Sequence, residues 1–72
     1  MLAIAKERKA RNLSQSEIAR RAGMHISSLS SIETGRLVPW PGQRKKLERV
    51  MCEVGWDGRG DLFGEVSGDG AD

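Results

Sequence analysis

The stretch LSQSEIARRAGMHISSLSSIETG, Leu13 to Gly35, constrains this chain more than any other. Ser14 can cap a helix by accepting from the Glu17 amide, and the Glu17 carboxylate can return to the Ser14 amide, which makes a capping box. Leu13 before the cap and Ile18 in the helix form a hydrophobic staple. A helix therefore starts at Gln15, buries Ile18, Ala19 and Ala22, and stops at Gly23, which takes a left-handed conformation without strain. After two or three residues a second helix runs from about Ile26 to Thr34, closed by Gly35, with Leu29 and Ile32 three apart on one face. Two helices joined by so short a turn cross steeply and closely. Small Ala19 suits the crossing, and Gly23 suits the turn. Ile18, Ala22, Met24, Leu29 and Ile32 supply the apolar positions that face the rest of the core.

The remainder is organised around that pair. A first helix, about Leu2 to Arg11, has a thin apolar face of Leu2, Ile4 and Ala5 and ends at Asn12. Pro39 and Pro41 keep helix out of residues 38–41. A last helix, about Gln43 to Val54, carries Leu47, Val50, Met51 and Val54 at i, i+3, i+4 and i+7. No period-2 alternation is sustained long enough for a strand. The expected fold is all-α, a compact bundle of four to five short helices. Aromatics are 4% of 72 residues, so the core must be small and aliphatic. Trp40 is expected to pack the last connection onto that core. Six of nine glycines fall after residue 54, so 55–72 reads as an acidic loop and disordered tail with a short helical turn near 61–65. Trp56, Leu62 and Phe63 either close the bottom of the last helix or form an exposed patch for dimerisation.

Charge is divided unevenly. Residues 1–54 hold eleven Lys/Arg against five acids, and residues 55–72 hold one Arg against five acids. A basic compact part with an acidic tail is the asymmetry of a nucleic-acid binder. No apolar run is long enough for a signal-peptide core or a membrane span, so a cytoplasmic protein without membrane contact is expected. The single cysteine, Cys52, lies off the apolar stripe of the last helix and has no basic partner to make it a thiolate; an exposed position or a subunit contact is expected. Asp57, Asp61 and Glu65 lack the spacing of a calcium loop, and no phosphate-loop or dinucleotide fingerprint occurs. Neither metal, cofactor nor enzymatic activity is expected.

Residues 15–34 have the spacing of a helix-turn-helix, and the chain resembles the phage-repressor and Cro class, the xenobiotic-response-element-type bacterial regulators. The resemblance runs through LSQSEIARRAGMHISSLSSIETG to Pro39 and covers residues 1 to about 54. The structural positions it implies are Ser14, Glu17, Ala19, Gly23, Leu29, Ile32 and Glu33. It implies an ion pair between Arg8 and Glu33 that ties the first helix to the recognition helix, about Ile26 to Thr34, and keeps Arg8 near the DNA backbone. The base-reading positions fall on Ile26, Ser27, Ser28 and Ser31, with His25 at the start of the helix. Short hydroxyls pair with several base edges, and Ile26 suits a thymine methyl. Phosphate contacts are implied for Arg8, Gln15, Thr34, Gly35 and Arg36; Gln15 sits at a helix N-terminus, where amides face anions. Arg20, Arg21, Arg44, Lys45 and Lys46 would add field rather than contacts.

The function implied is a transcriptional regulator of double-stranded DNA, a homodimer on two half-sites, acting as a repressor. No recognition residue here makes a bidentate contact with guanine or adenine. The alternative is therefore a protein-interaction module, such as the antitoxin of a toxin–antitoxin pair, whose acidic tail folds onto a basic partner.

Overall fold

The computed structural model describes residues 2–66. Four helices follow one another: α1 (Ala3–Ala10), α2 (Gln15–Ala22), α3 (Ile26–Glu33) and α4 (Pro41–Glu53). Among the described residues there is no strand, only an isolated bridge between Leu2 and Glu65. α2 packs on both α3 and α4, and α1 packs on α3. The side chains of Ile4, Ile18, Leu29, Ile32, Leu47 and Met51 are fully buried between them, with Ala19 and Ala22 at the close approach.

The local signals around α2 act largely as expected. The Ser14 hydroxyl accepts from the Glu17 amide at 3.0 Å. Gly23 ends the helix at φ 69°, and Gly35 follows α3 at φ 83°. The return half of the capping box differs. The Glu17 carboxylate turns along the helix to Arg20 and Arg21 instead. Two arginines offer it charge-assisted bonds stronger than one neutral amide does.

α4 begins two residues earlier than expected, because Pro41 occupies its first turn. A helix leaves its first amides unpaired, so a residue lacking an N–H costs nothing there. The Trp40 amide donates to Gln43 Oε1 at 2.9 Å across that turn. Trp40 does not pack the connection onto the core: its side chain is exposed, and Pro39 is the buried residue of this segment. The smaller ring fits under the turn, and the extended Trp40 backbone ahead of Pro41 carries the indole outward.

The segment after α4 is anchored more firmly than a tail. Leu62 is 1% exposed and joins the core, with Trp56 and Phe63 packed against it. Its backbone closes the N-terminus of α1. The Ala3 amide donates to the Gly64 carbonyl at 2.9 Å, and the Ile4 amide donates to the Leu62 carbonyl at 2.7 Å. Arg11 fastens the other end by donating to the Gly55 carbonyl at 3.0 Å. Residues 61–64 form the turn that carries Leu62 inward. The thin apolar face of α1 explains the arrangement, since Leu2 and Ile4 need a cover that α2 and α3 do not fully supply. The acidic stretch 67–72 lies outside the described residues.

Candidate nucleic-acid interface

α3 divides into two faces. Leu29, Ile32 and Glu33 point inward and are buried. Ser27, Ser31 and Thr34 fall within about 60° of one another on the opposite side at 3.6 residues per turn. Ser30, not among the expected base-reading positions, shares that side, three positions after Ser27 and four before Thr34. Ile26 is 48% exposed on one flank, and Ser28 is half-buried on the other. His25 is exposed and in extended backbone. Its side chain makes no cap bond, while its carbonyl accepts from the Ser28 and Leu29 amides. The first turn of α3 thus presents His25, Ile26 and Ser27 to solvent together.

The inward face holds α3 in place through one charged network. Arg8 Nε donates to Glu33 Oε2 at 2.8 Å, and Arg8 Nη2 donates to Glu33 Oε1 at 3.0 Å, a bidentate pair. The third nitrogen, Nη1, donates to the Leu13 carbonyl at 2.8 Å. Gln15 Nε2 adds a bond to Glu33 Oε1 at 2.9 Å. The network joins α1, the turn before α2, the first residue of α2 and the last residue of α3. Glu33 is 4% exposed. No buried side-chain nitrogen or oxygen among the described residues lacks a partner. A buried ion pair is stabilising only when satisfied in this way.

That network includes two of the residues expected at phosphates, Arg8 and Gln15. The Arg8 guanidinium is turned inward and spends a donor from each of its three nitrogens on Glu33 and Leu13, so its first role is to position α3. The loop after α3 is similar. The Thr34 hydroxyl donates back to the Ser30 and Ser31 carbonyls. The amides of Thr34, Gly35, Arg36 and Leu37 all donate to carbonyls of α3. Thr34 and Gly35 therefore shape the loop, and Arg36 is its exposed cation. At the other edge, the Gln15 amide opens α2 while its side chain is held by Glu33. Arg8, Lys9, Asn12, Leu13 and Ser14 line a shallow hollow of about 400 Å³ beside that N-terminus. Exposed Lys9 is a cation at this edge that the sequence reading did not single out. Its signal was available: it follows Arg8, one residue round the end of α1.

The basic residues set aside as field behave as surface groups. Arg20 and Arg21 are engaged with Glu17. The Glu17 carboxyl is held below its ordinary pKa, chiefly by the hydrogen bond from Arg21, with Arg20 adding to the effect and burial opposing it. Arg44 pairs with Asp61 at 3.6 Å and lies over the Phe63 ring at 5.0 Å.

A family model for the helix-turn-helix matches residues 4–50, which hold all of α2 and α3 and most of α1 and α4. The chain belongs to the Cro/C1-type helix-turn-helix family. It is accordingly a DNA-binding regulator of that type, with α2 and α3 as the motif and α3 as its second helix. No curated protein and no solved structure gives a significant match to this Cro/C1-type protein. None of its described helices is long and apolar enough to cross a membrane.

Proposed function

We propose that this protein binds duplex DNA as a dimer, one α3 in the major groove of each half-site, and represses transcription by occluding a promoter. The observation that carries the reading is the division of α3. Its inward face is locked by Arg8, Gln15 and Glu33, while Ile26, Ser27, Ser30 and Ser31 face outward at its exposed N-terminal end and middle. A rigidly seated helix carrying donors and acceptors at the right end is what direct readout requires. Lys9 and the Gln15 amide on one side, and Arg36 on the other, bracket it as phosphate contacts. Short hydroxyls discriminate less than bidentate side chains, so water bridges and DNA shape supply part of the specificity.

Selection of bound fragments from random duplex DNA, followed by titration at two salt concentrations, tests this. The expected result is an inverted repeat with half-sites about one helical turn apart. Affinity should fall steeply with salt, each neutralised phosphate adding about 0.9 to the log–log slope. Binding without enrichment, abolished at the higher salt, would reduce α3 to a backbone contact and favour the interaction-module reading. No duplex binding at all would overturn the proposal.

A further inference from the structure

A hollow of about 240 Å³ lies between the C-terminal half of α2 and α4, and no residue of α3 lines it. Lys46, Arg49 and Glu53 form its α4 wall and fall within about 60° of one another at 3.6 residues per turn. Arg20 and Arg21 form the α2 wall, sharing the carboxylate of Glu17. Lys46 and Arg49 are exposed and make no hydrogen bond or ion pair among the described residues. Ala22, Gly23 and Lys46 also border a second hollow, of about 260 Å³, which Trp40, Met24 and Gln43 complete. The two hollows therefore adjoin as one track, cationic at the Arg49 end and aromatic at the Trp40 end. Trp40 is 71% exposed, a large apolar surface to leave in water.

We infer that this track binds an acidic segment of another protein, one that carries an apolar side chain for Trp40. The inference goes beyond DNA binding and does not depend on it. Three observations favour such a segment. First, the charge is one-sided: Arg20, Arg21, Lys46 and Arg49 face only Glu53 and the shared Glu17. Lys46 and Arg49 offer unspent donors, and each of Arg20 and Arg21 gives Glu17 only part of its five-donor fork. A segment bearing carboxylates complements that field, and a basic one would be repelled by it. Second, the acids are placed where a nucleic acid would suffer from them. A phosphate backbone carries its charge at every step, so Glu53 and Glu17 would oppose it, whereas a peptide can set a neutral side chain opposite each. Single-strand binders also stack successive bases on several aromatics, and this track offers one. Third, an exposed tryptophan beside arginines is the composition of an interface hot spot. Because α3 lines neither hollow, the segment can be held while the outward face of α3 stays open.

Selection of random displayed peptides on the immobilised full chain, without DNA, tests this. The enriched peptides are then synthesised with a fluorescent label and titrated by anisotropy against the wild type and three variants, Arg49→Glu, Trp40→Ala and Lys6→Glu. All three residues are exposed, so circular dichroism should show the variants folded, and Lys6 lines neither hollow. The expected peptides combine several carboxylates with an aromatic or large aliphatic residue. Arg49→Glu and Trp40→Ala should each raise the dissociation constant at least about tenfold, and Lys6→Glu, with the same change of charge as Arg49→Glu, should leave it within about twofold. No enrichment, enriched peptides without acids, or equal weakening by Lys6→Glu and Arg49→Glu would overturn the inference. So would a change of occupant. Displacement of the peptide by a single-stranded oligonucleotide of equal charge would indicate a nucleic acid. Tighter binding after deletion of residues 67–72 would indicate the chain's own acidic stretch. A signal that falls again as the protein is concentrated would indicate a second copy. Duplex binding is measured apart from all of these, so its failure would leave this inference standing.

Discussion

The two faces of α3 are built on opposite terms. Inward, every polar group has a fixed partner: Glu33 accepts three hydrogen bonds from Arg8 and Gln15, and Leu29 and Ile32 fill the core beside it. Outward, Ile26, Ser27, Ser30 and Ser31 have short side chains at exposed or half-buried positions. The difference separates two jobs. On the proposed reading, the side chains that set position are distinct from those that read bases, so single outward substitutions should shift the preferred site at little cost to folding.

Breaking the inward face should have the largest effect. Glu33→Ala would leave the Arg8 guanidinium buried without its counter-charge, and unfolding in denaturant should show a loss of about 3–5 kcal/mol. A domain of this size has little more than that to lose. The double variant Arg8→Met with Glu33→Leu removes both charges and should be more stable than Glu33→Ala alone. If Glu33→Ala instead unfolds like the wild type, the network does not hold α3, and the contrast between the faces fails.

The cover over α1 comes next. Leu62→Ala should cost about 2–5 kcal/mol by thermal or denaturant unfolding, the range for truncating a buried leucine. That is the effect of a core residue, although Leu62 lies in a glycine-rich stretch. Its place shows what sequence could and could not give. The caps at Ser14 and Gly23 and the helix bounds of α2 and α3 were legible because they depend on residues within one or two turns. The partner of Leu62 is Ile4, almost the whole chain away, and no local pattern points to it. Trp40 failed for the same reason: whether an aromatic between two prolines turns in or out is set by the room left under the turn. The loop after α3 needs a further kind of accounting. A helix ends with four unpaired carbonyls. Those of Ser30, Ser31 and Ile32 take the amides of residues 34–37 and the Thr34 hydroxyl, while Arg36 stays exposed.

Changes on the outward face should leave stability within about 0.5 kcal/mol and act on DNA alone. Ser27→Ala and Ser31→Ala should each alter the selected site at the base pair they face, by about 1–3 kcal/mol of discrimination if the contact is direct. Arg36→Ala should weaken binding to all sequences alike and lower the salt slope by about one. The same measurement on Arg8→Gln sharpens the comparison. If Arg8 only positions α3, its loss lowers stability and affinity together; a lower salt slope in a still-folded Arg8→Gln variant would make it a phosphate contact as well.

The smallest effect should come from Glu17, which belongs to neither face. Its carboxyl titrates below the ordinary carboxylate value in the folded protein because Arg21, and then Arg20, favour its charged form. A group whose pKa is lowered by folding stabilises the fold above its unfolded pKa, about 4.3 for glutamate. That contribution fades as pH falls below this value and is gone once the folded carboxyl is protonated. Melting temperatures of the wild type and Glu17→Gln should therefore differ slightly near neutral pH and converge in acid. The pair is exposed, so added salt should shrink the difference at neutral pH as well. The Arg8–Glu33 pair is buried and less screened, and the effect of Glu33→Ala should persist in the same salt. Equal salt sensitivity at the two sites would mean that Glu33 is wetter than its 4% exposure implies.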